Sequence, residues 1–167
     1  MKIYEFAISD KRGKELTEFW KDCLNNNYVR TEWKGIDNFK NININRDLWN
    51  LIDKNNPQYK NKLGVNYKFN QINMILKIKE GDIIIARKGI TYIKAIGIVT
   101  SEVYRFLGNT KDDYRHAICV KWINTYENKR IPKEFTPRRC TLNEISFDTY
   151  QKLIEEKTRE YIKAFIK

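Results

Sequence analysis

Aromatic and basic side chains occur together in two segments of this sequence, and each segment follows an apolar stretch that predicts a β-strand. In the first segment, Trp33 is followed by Lys34 and then by the polar residues Asp37 and Asn38. The second segment alternates aromatic rings with guanidinium groups: Tyr104, Arg105, Phe106, Tyr114 and Arg115. Aromatic rings stack on bases, polar side chains read base edges, and Lys and Arg neutralise phosphates. Both segments therefore predict binding of a nucleic-acid strand.

Each aromatic residue also has an ordinary packing interpretation. Most tryptophans are packing residues, so Trp33 can equally lie in the core or at its rim. Phe106 can anchor its loop from below. The helical spacing of Trp20 and the alternating spacing of Trp122 predict core positions, whereas Trp49 is ambiguous.

Four further basic residues are candidates for contacting phosphates. Arg87 and Lys88 occupy the tip of a predicted hairpin, and Arg138 and Arg139 follow Pro137 in a predicted edge strand. Hairpin tips are often charged for solubility alone, so each of these residues is weak evidence by itself. Together they predict a basic face.

The overall charge favours an anionic partner. Lys and Arg number 32 against 21 Asp and Glu, which gives a net charge of +11. An excess of this size in one domain is typical of proteins that bind a phosphate backbone or an anionic membrane. A genome biased toward Lys, Asn and Ile would also produce it. The hydrophobic fraction of 41% argues against disorder.

Cysteine and histidine usage predicts a reduced protein without metal or cofactor. The three cysteines are far apart, and there is one histidine, so neither disulfides nor a zinc site are expected. No apolar run is long enough to span a membrane, and the first residues lack the apolar region of a signal peptide. We expect a cytoplasmic protein.

Hydrophobic periodicity predicts one α+β domain over residues 1–167, built on a small, strongly curved, mostly antiparallel sheet or partly closed barrel flanked by helices. Strands are predicted over 2–9, 28–33, 83–86, 92–100 and 117–123, with an edge strand within 134–142. Helices are predicted over 13–25, around 48–52, over 67–78, and over 146–167, where Ser146 caps a helix that can lead into a further domain. Residues 101–116 are predicted to be a long charged loop, and Gly97 to mark a bulge or a close backbone approach.

Motifs for catalysis are scarce, and no catalytic residue is predicted. There is no Gly-rich phosphate loop and no nucleophile elbow. His116 adjoins a strand, where a structural hydrogen bond is the expected role. The run Glu32-Trp33-Lys34 has the Glu-x-Lys form of metal-dependent nucleases, but no clearly paired upstream Asp accompanies it.

Four stretches resemble the EVE and YTH-like branch of the PUA superfamily: residues 81–89 (GDIIIARKG), 96–100 (IGIVT), 114–116 (YRH) and 120–123 (VKWI). Within that branch, the sequence is most similar to the N-terminal specificity domains of McrBC-type, modification-dependent restriction systems. The likeness spans most of residues 4–154.

The resemblance implies a PUA-like barrel that flips a modified, typically methylated, base out of double-stranded DNA and into an aromatic cage. By position, Trp33 would form one wall and Tyr104 the other, with Phe106 or Tyr114 as substitutes for Tyr104.

The same resemblance suggests further roles. The small acidic or amide residue near the first tryptophan of the family would be Asp37 or Asn38. Lys34 stands where acidic residues are common in the family, which would change the base that is read. An AAA+ GTPase or ATPase motor domain and a nuclease subunit would be partners, and the chain itself would be the reader without nuclease activity.

Three alternatives stay open on the sequence. An RNA-binding PUA-like domain would prefer strands with a 2′-hydroxyl. A protein-interaction domain with incidental charge would bind nucleic acid weakly and without base dependence. A metal nuclease would cleave DNA only with a divalent ion and would lose that activity on Glu32→Ala.

Overall fold

A single six-stranded sheet organises the chain in the computed structural model, which describes residues 1–8, 13–33, 35–41, 46–55, 62–108, 113–135, 137 and 140–166. The strands are β1 (Ile3–Ala7), β2 (Tyr28–Thr31), β3 (Ile83–Lys88), β4 (Tyr92–Phe106), β5 (His116–Arg130) and β6 (Leu142–Ile145). Their order is β2-β5-β4-β3-β1-β6, and only the β1–β3 pair is parallel. The sheet curls into a half-barrel, which confirms the predicted α+β class and the curved, mostly antiparallel sheet.

Helices cover both faces of this sheet. The described helices are α1 (Gly13–Asn25), α2 (Arg46–Asn55), α3 (Lys62–Leu76), α4 (Phe147–Leu153) and α5 (Glu156–Ile166), with a 3-10 helix at Phe39–Asn41. None of them, within the ranges described, is both long and apolar enough to cross a membrane.

Alternate residues of the central strands belong to two separate cores. Ile84 and Ala86 of β3 pack in the larger core with residues of α1, α2 and α3. Ile83 and Ile85 point to the other face, where they pack with residues of α4 and α5 such as Leu153. Because both faces are covered, β3 is a continuous apolar run and not an alternating one.

Gly97 makes the close approach that the sequence predicts. It pairs with Trp122 next to a shift in the β4–β5 register. A Cβ atom placed on Gly97 would lie 3.0 Å from the Trp122 ring and 3.1 Å from the Val120 Cβ. Glycine is therefore required here by the lack of space, not by an unusual backbone angle.

Several predicted elements need correction. Helix α1 spans residues 13–25 as predicted, but β2 ends at Thr31, before the tryptophan. The prediction of a loop from residue 101 is wrong, because β4 continues to Phe106 and β5 starts at His116 and continues to Arg130. Register shifts in the β4–β5 pair let these long strands bend.

The C-terminal region is also divided differently from the prediction. The edge strand lies at Leu142–Ile145, after the proline-containing segment. Ser146 caps a helix as predicted, and its hydroxyl accepts the Thr149 N–H at 3.2 Å. That helix stops at Leu153, however, and α5 starts afresh at Glu156.

Candidate nucleic-acid interface

Five rings pack together where β2, β4 and β5 meet the 3-10 helix. This aromatic cluster consists of Trp33, Phe39, Tyr104, Phe106 and His116. The Phe39 ring stacks on His116 with a centroid distance of 4.2 Å and on Tyr104 with one of 5.2 Å. Trp33 lies 5.3 Å from both Phe39 and His116. The structure thus brings together three of the predicted cage residues, Trp33, Tyr104 and Phe106.

His116 is the centre of the aromatic cluster and a hydrogen-bonded structural residue, as its position beside a strand predicts. Its Nε2 lies 3.2 Å from the Ile36 carbonyl oxygen, which can only accept, so Nε2 carries the proton. Its Nδ1 lies 3.0 Å from the Tyr104 hydroxyl, which then donates to it. Burial lowers the pKa of His116 to about 4 and raises the pKa of Tyr104 to about 12. Both groups are therefore neutral at pH 7.

Among the described residues, the Phe39 ring packs against both predicted cage walls, Trp33 and Tyr104. Trp33 is 4% exposed and Phe39 is 3% exposed, and Phe39 stacks where a base between the predicted walls would stack. Asp37 and Asn38 are engaged in local turns, because their carboxylate and amide oxygens accept the N–H groups of Asn38 and Lys40. The cluster supports the neighbouring chain segments as part of the larger core.

An open pocket of about 600 Å³ lies beside this cluster at the ends of β1, β2 and β3. We call it the mouth pocket, and among the residues that line it are Thr31, Glu32, Tyr67, Arg87, Tyr114 and Cys140. Its size falls within the range of pockets that bury small organic ligands. It contains one predicted cage residue, Tyr114, and one predicted phosphate contact, Arg87.

Tyr114 is held on the pocket wall by residues of α1 and β2. Its ring packs edge-on against Phe19, with centroids 4.8 Å apart, and its carbonyl oxygen accepts a hydrogen bond from Arg30 at 3.4 Å. The Arg30 guanidinium lies 4.7 Å from the Phe19 ring centre and pairs with Asp22 at 2.9 Å. This chain of contacts fixes the Tyr114 backbone while one side of the residue faces the pocket.

Arg87 does not occupy the hairpin tip, and the prediction that it contacts phosphate there needs correction. The turn comprises residues 89–91, and Arg87 lies in β3 with 2% of its surface exposed. Its Nε lies 2.9 Å from a carboxylate oxygen of Glu5, whose other oxygen accepts the Asn143 amide. Its two amino groups donate to the carbonyl oxygens of Gly89 and Cys140. Arg87 therefore joins three segments around the pocket floor.

Exposed cations lie near the pocket in the described part of the chain. Lys88 precedes the lining residue Gly89, and Arg115 follows Tyr114; both are exposed. Lys68 follows Tyr67 on α3 and lies in electrostatic range of Glu32, although burial lowers its pKa. Arg105 is exposed but pairs with Glu102 at 2.5 Å.

Three predicted phosphate contacts, Lys34, Arg138 and Arg139, lie outside the described residues. Among the residues that are described, no group of three or more His, Cys, Asp or Glu side chains is placed to bind a metal ion.

Two residues that line the mouth pocket are not predicted as site residues from the sequence. Tyr67 lies in a predicted helix and is 50% exposed, and the sequence pattern around Glu32 indicates only the nuclease alternative. The position of Tyr67, a large aromatic residue outside the apolar face of α3, is the sequence signal that could have indicated a binding surface.

Comparison with known protein families gives a match over most of the chain. A family model described as "Domain of unknown function (DUF8426)" matches residues 6–147. No curated protein matches the chain. The matched range starts within β1 and ends at the first residue of α4, so it includes β2 to β6 and all the lining residues named above.

Proposed function

The chain belongs to the DUF8426 family, and we propose that it binds nucleic acid and holds one extruded base in the mouth pocket. The favoured target is a modified base in double-stranded DNA, and the favoured fold is PUA-like, both following the sequence resemblance. The observation that carries the proposal is the pocket itself: about 600 Å³, lined by two tyrosines, beside exposed cations.

The energetics of base extrusion require such a pocket. Unstacking a base costs a few kcal/mol, and stacking on a protein aromatic ring returns about 1–3 kcal/mol per base. Tyr67 of α3 and Tyr114, two residues before β5, line the pocket and are the aromatic side chains that would stack on the base. A fixed ring such as Tyr114 is more effective than a mobile one, because less side-chain entropy is lost on binding.

Long-range charge would bring the phosphate backbone to this surface. Lys88 and Arg115 adjoin lining residues, and each phosphate contact adds salt-dependent affinity without base preference. Base discrimination must then come from the pocket. In a modification-dependent restriction system, this reader would deliver specificity to a separate motor and nuclease.

Fluorescence anisotropy with matched duplexes tests the proposal. The duplexes are unmodified or carry one N6-methyladenine, 5-methylcytosine, 5-hydroxymethylcytosine or N4-methylcytosine, and a duplex RNA of the same sequence is included. We expect a preference of about tenfold or more for one modified duplex, equivalent to about 1.4 kcal/mol.

Tyr114→Ala should abolish that preference, whereas Tyr161→Ala should leave it unchanged. Tyr161 is a matched control because it is exposed on α5, which packs on the other face of the sheet. Equal binding of all DNA duplexes, indifferent to Tyr114→Ala, would refute the modified-base proposal. Tighter binding of the RNA would assign the pocket to RNA instead.

A further inference from the structure

We infer that the base held in the mouth pocket carries an exocyclic amino group, and that Glu32 determines this specificity by accepting a hydrogen bond from it. The inference rests on the proposed function and names the ligand class of the same pocket. Adenine, cytosine and guanine belong to this class, whereas thymine and uracil do not.

Glu32 is held at a defined place on the pocket wall. Thr31 before it is buried and pairs with His116 across β2 and β5, and Trp33 after it is buried in the aromatic cluster. Glu32 itself is exposed and lines the pocket between these two fixed neighbours. Its backbone is therefore positioned by the core, while its side chain is available to a ligand.

Among the described lining residues, Glu32 is the sole carboxylate. Glu32 lies in electrostatic range of Lys68, and its negative charge weakens the attraction of this surface for phosphate. A carboxylate fits a nucleic-acid site when a group of the ligand donates a hydrogen bond to it. The amino group of an extruded base is such a donor.

The chemistry of base edges then sets the preference. A carboxylate accepts from the amino group of cytosine, and adenine and guanine offer equivalent N–H donors. Thymine and uracil have no amino group; their one donor on that edge, N3–H, lies between two carbonyl oxygens that repel the carboxylate. A thymine or uracil therefore loses the hydrogen bond that an amino group donates to Glu32, so it should bind more weakly.

Bulged duplexes test the inference, because an unpaired nucleotide is extruded at little cost. Four otherwise identical duplexes carry one bulged dA, dC, dG or dT, and a fully paired duplex is the reference. The wild-type protein should bind at least one amino-bearing bulge about tenfold more tightly than the dT bulge.

Glu32→Gln supplies the decisive comparison. Glutamine keeps the length of the side chain but can both accept and donate, so it should bind the dT bulge more tightly and reduce the discrimination to less than about threefold. Glu80→Gln removes the same charge from an exposed turn before β3, at the opposite end of that strand from Arg87, and should leave discrimination unchanged.

The outcomes separate this inference from the function on which it rests. Equal affinity for all four bulges in the wild type, or full discrimination retained in Glu32→Gln, would overturn the role of Glu32 while leaving the pocket function intact, provided that Tyr114→Ala still weakens bulge binding. No preference for any bulge over the paired duplex, with no effect of Tyr114→Ala, would overturn both.

Discussion

The Tyr104 hydroxyl donates to Nδ1 of His116 across 3.0 Å, and this bond links the bent end of β4 to the first residue of β5. The same hydroxyl oxygen lies 3.4 Å from the Phe39 backbone nitrogen, and His116 Nε2 reaches the Ile36 carbonyl. The segment between Ile36 and Phe39 is thus held by one neutral histidine and one tyrosine. The packing of the aromatic cluster therefore depends on His116 being neutral.

Lowering the pH should destabilise the protein through His116. Its pKa falls from 6.5 to about 4 on folding, so its contribution to stability is full above pH 6.5 and is lost as the pH falls toward 4. The loss approaches about 3 kcal/mol at the acid end of this window. Urea denaturation between about pH 7 and pH 4 measures it.

His116→Gln provides the control for that experiment, since glutamine does not titrate. Its free energy of unfolding should be lower at pH 7 but nearly constant across the same window. Glu102 and Glu155, whose pKa values are lowered by Arg105 and Lys129, lose their pairing only at lower pH. An equal slope in the variant would rule out His116 as the titrating group.

Trp33 should act as a core residue. Trp33→Ala removes a ring that packs against Phe39 and His116, and we expect a loss of about 3–5 kcal/mol in the free energy of unfolding. Trp33→Phe should fold and bind DNA like the wild type, because it keeps an aromatic contact in the cluster. If Trp33→Phe folds normally but loses base preference, Trp33 contacts the base directly.

Glu5 and Arg87 should show strong energetic coupling. Removing either charge leaves the other buried without its ionic partner, and Arg87→Met or Glu5→Met should each cost about 3–5 kcal/mol. The double variant Glu5→Met with Arg87→Met should lose much less than the sum of the two single variants. A double-mutant cycle by chemical denaturation measures the coupling, and simple additivity would contradict it.

Gly97→Ala should destabilise the β4–β5 pair by about 1–3 kcal/mol, because the added methyl group overlaps the Trp122 ring. Gly108→Ala is the matched control, since its Cβ would lie 3.6 Å from the Phe106 ring in ordinary contact. Thermal unfolding of both variants compares them. Similar melting temperatures for the two would show that Trp122 moves aside without cost.

Lys88 should contribute to backbone binding without contributing to base preference. Lys88→Gln should reduce the slope of log affinity against log salt by about one, with equal effects on modified and unmodified duplexes. Lys152→Gln removes an exposed charge from α4 and should not change the slope. A selective loss for one modified duplex would instead assign Lys88 to the pocket.

Local patterns in the sequence identified much of the fold. The spacing of Leu16, Phe19, Trp20 and Cys23 predicted α1 with its observed bounds, and Gly97 and Ser146 have the predicted roles. These features depend on contacts within one helix or one strand pair, which periodicity and propensity describe well.

The candidate site depended on contacts that no local pattern records. Phe39 lies outside every helix and strand predicted from the sequence, yet it fills the aromatic cluster. Arg87 looked like a turn residue because its partner, Glu5, is reached only through the parallel β1–β3 pairing. Tyr67 and Tyr114 come together at one pocket although 47 positions separate them in the sequence. Their proximity depends on the assembled sheet and not on any local pattern.

The position of Arg87 has a consequence for the order of assembly. Its side chain contacts Glu5 near the beginning of the chain, Gly89 in the middle and Cys140 near the end. β6 must pair with β1, 136 to 142 residues earlier, before the Cys140 carbonyl can reach Arg87. The mouth pocket can therefore form only after β6 has emerged from the ribosome. A ligand that binds this pocket would bind the completely folded chain and not a partly synthesised one.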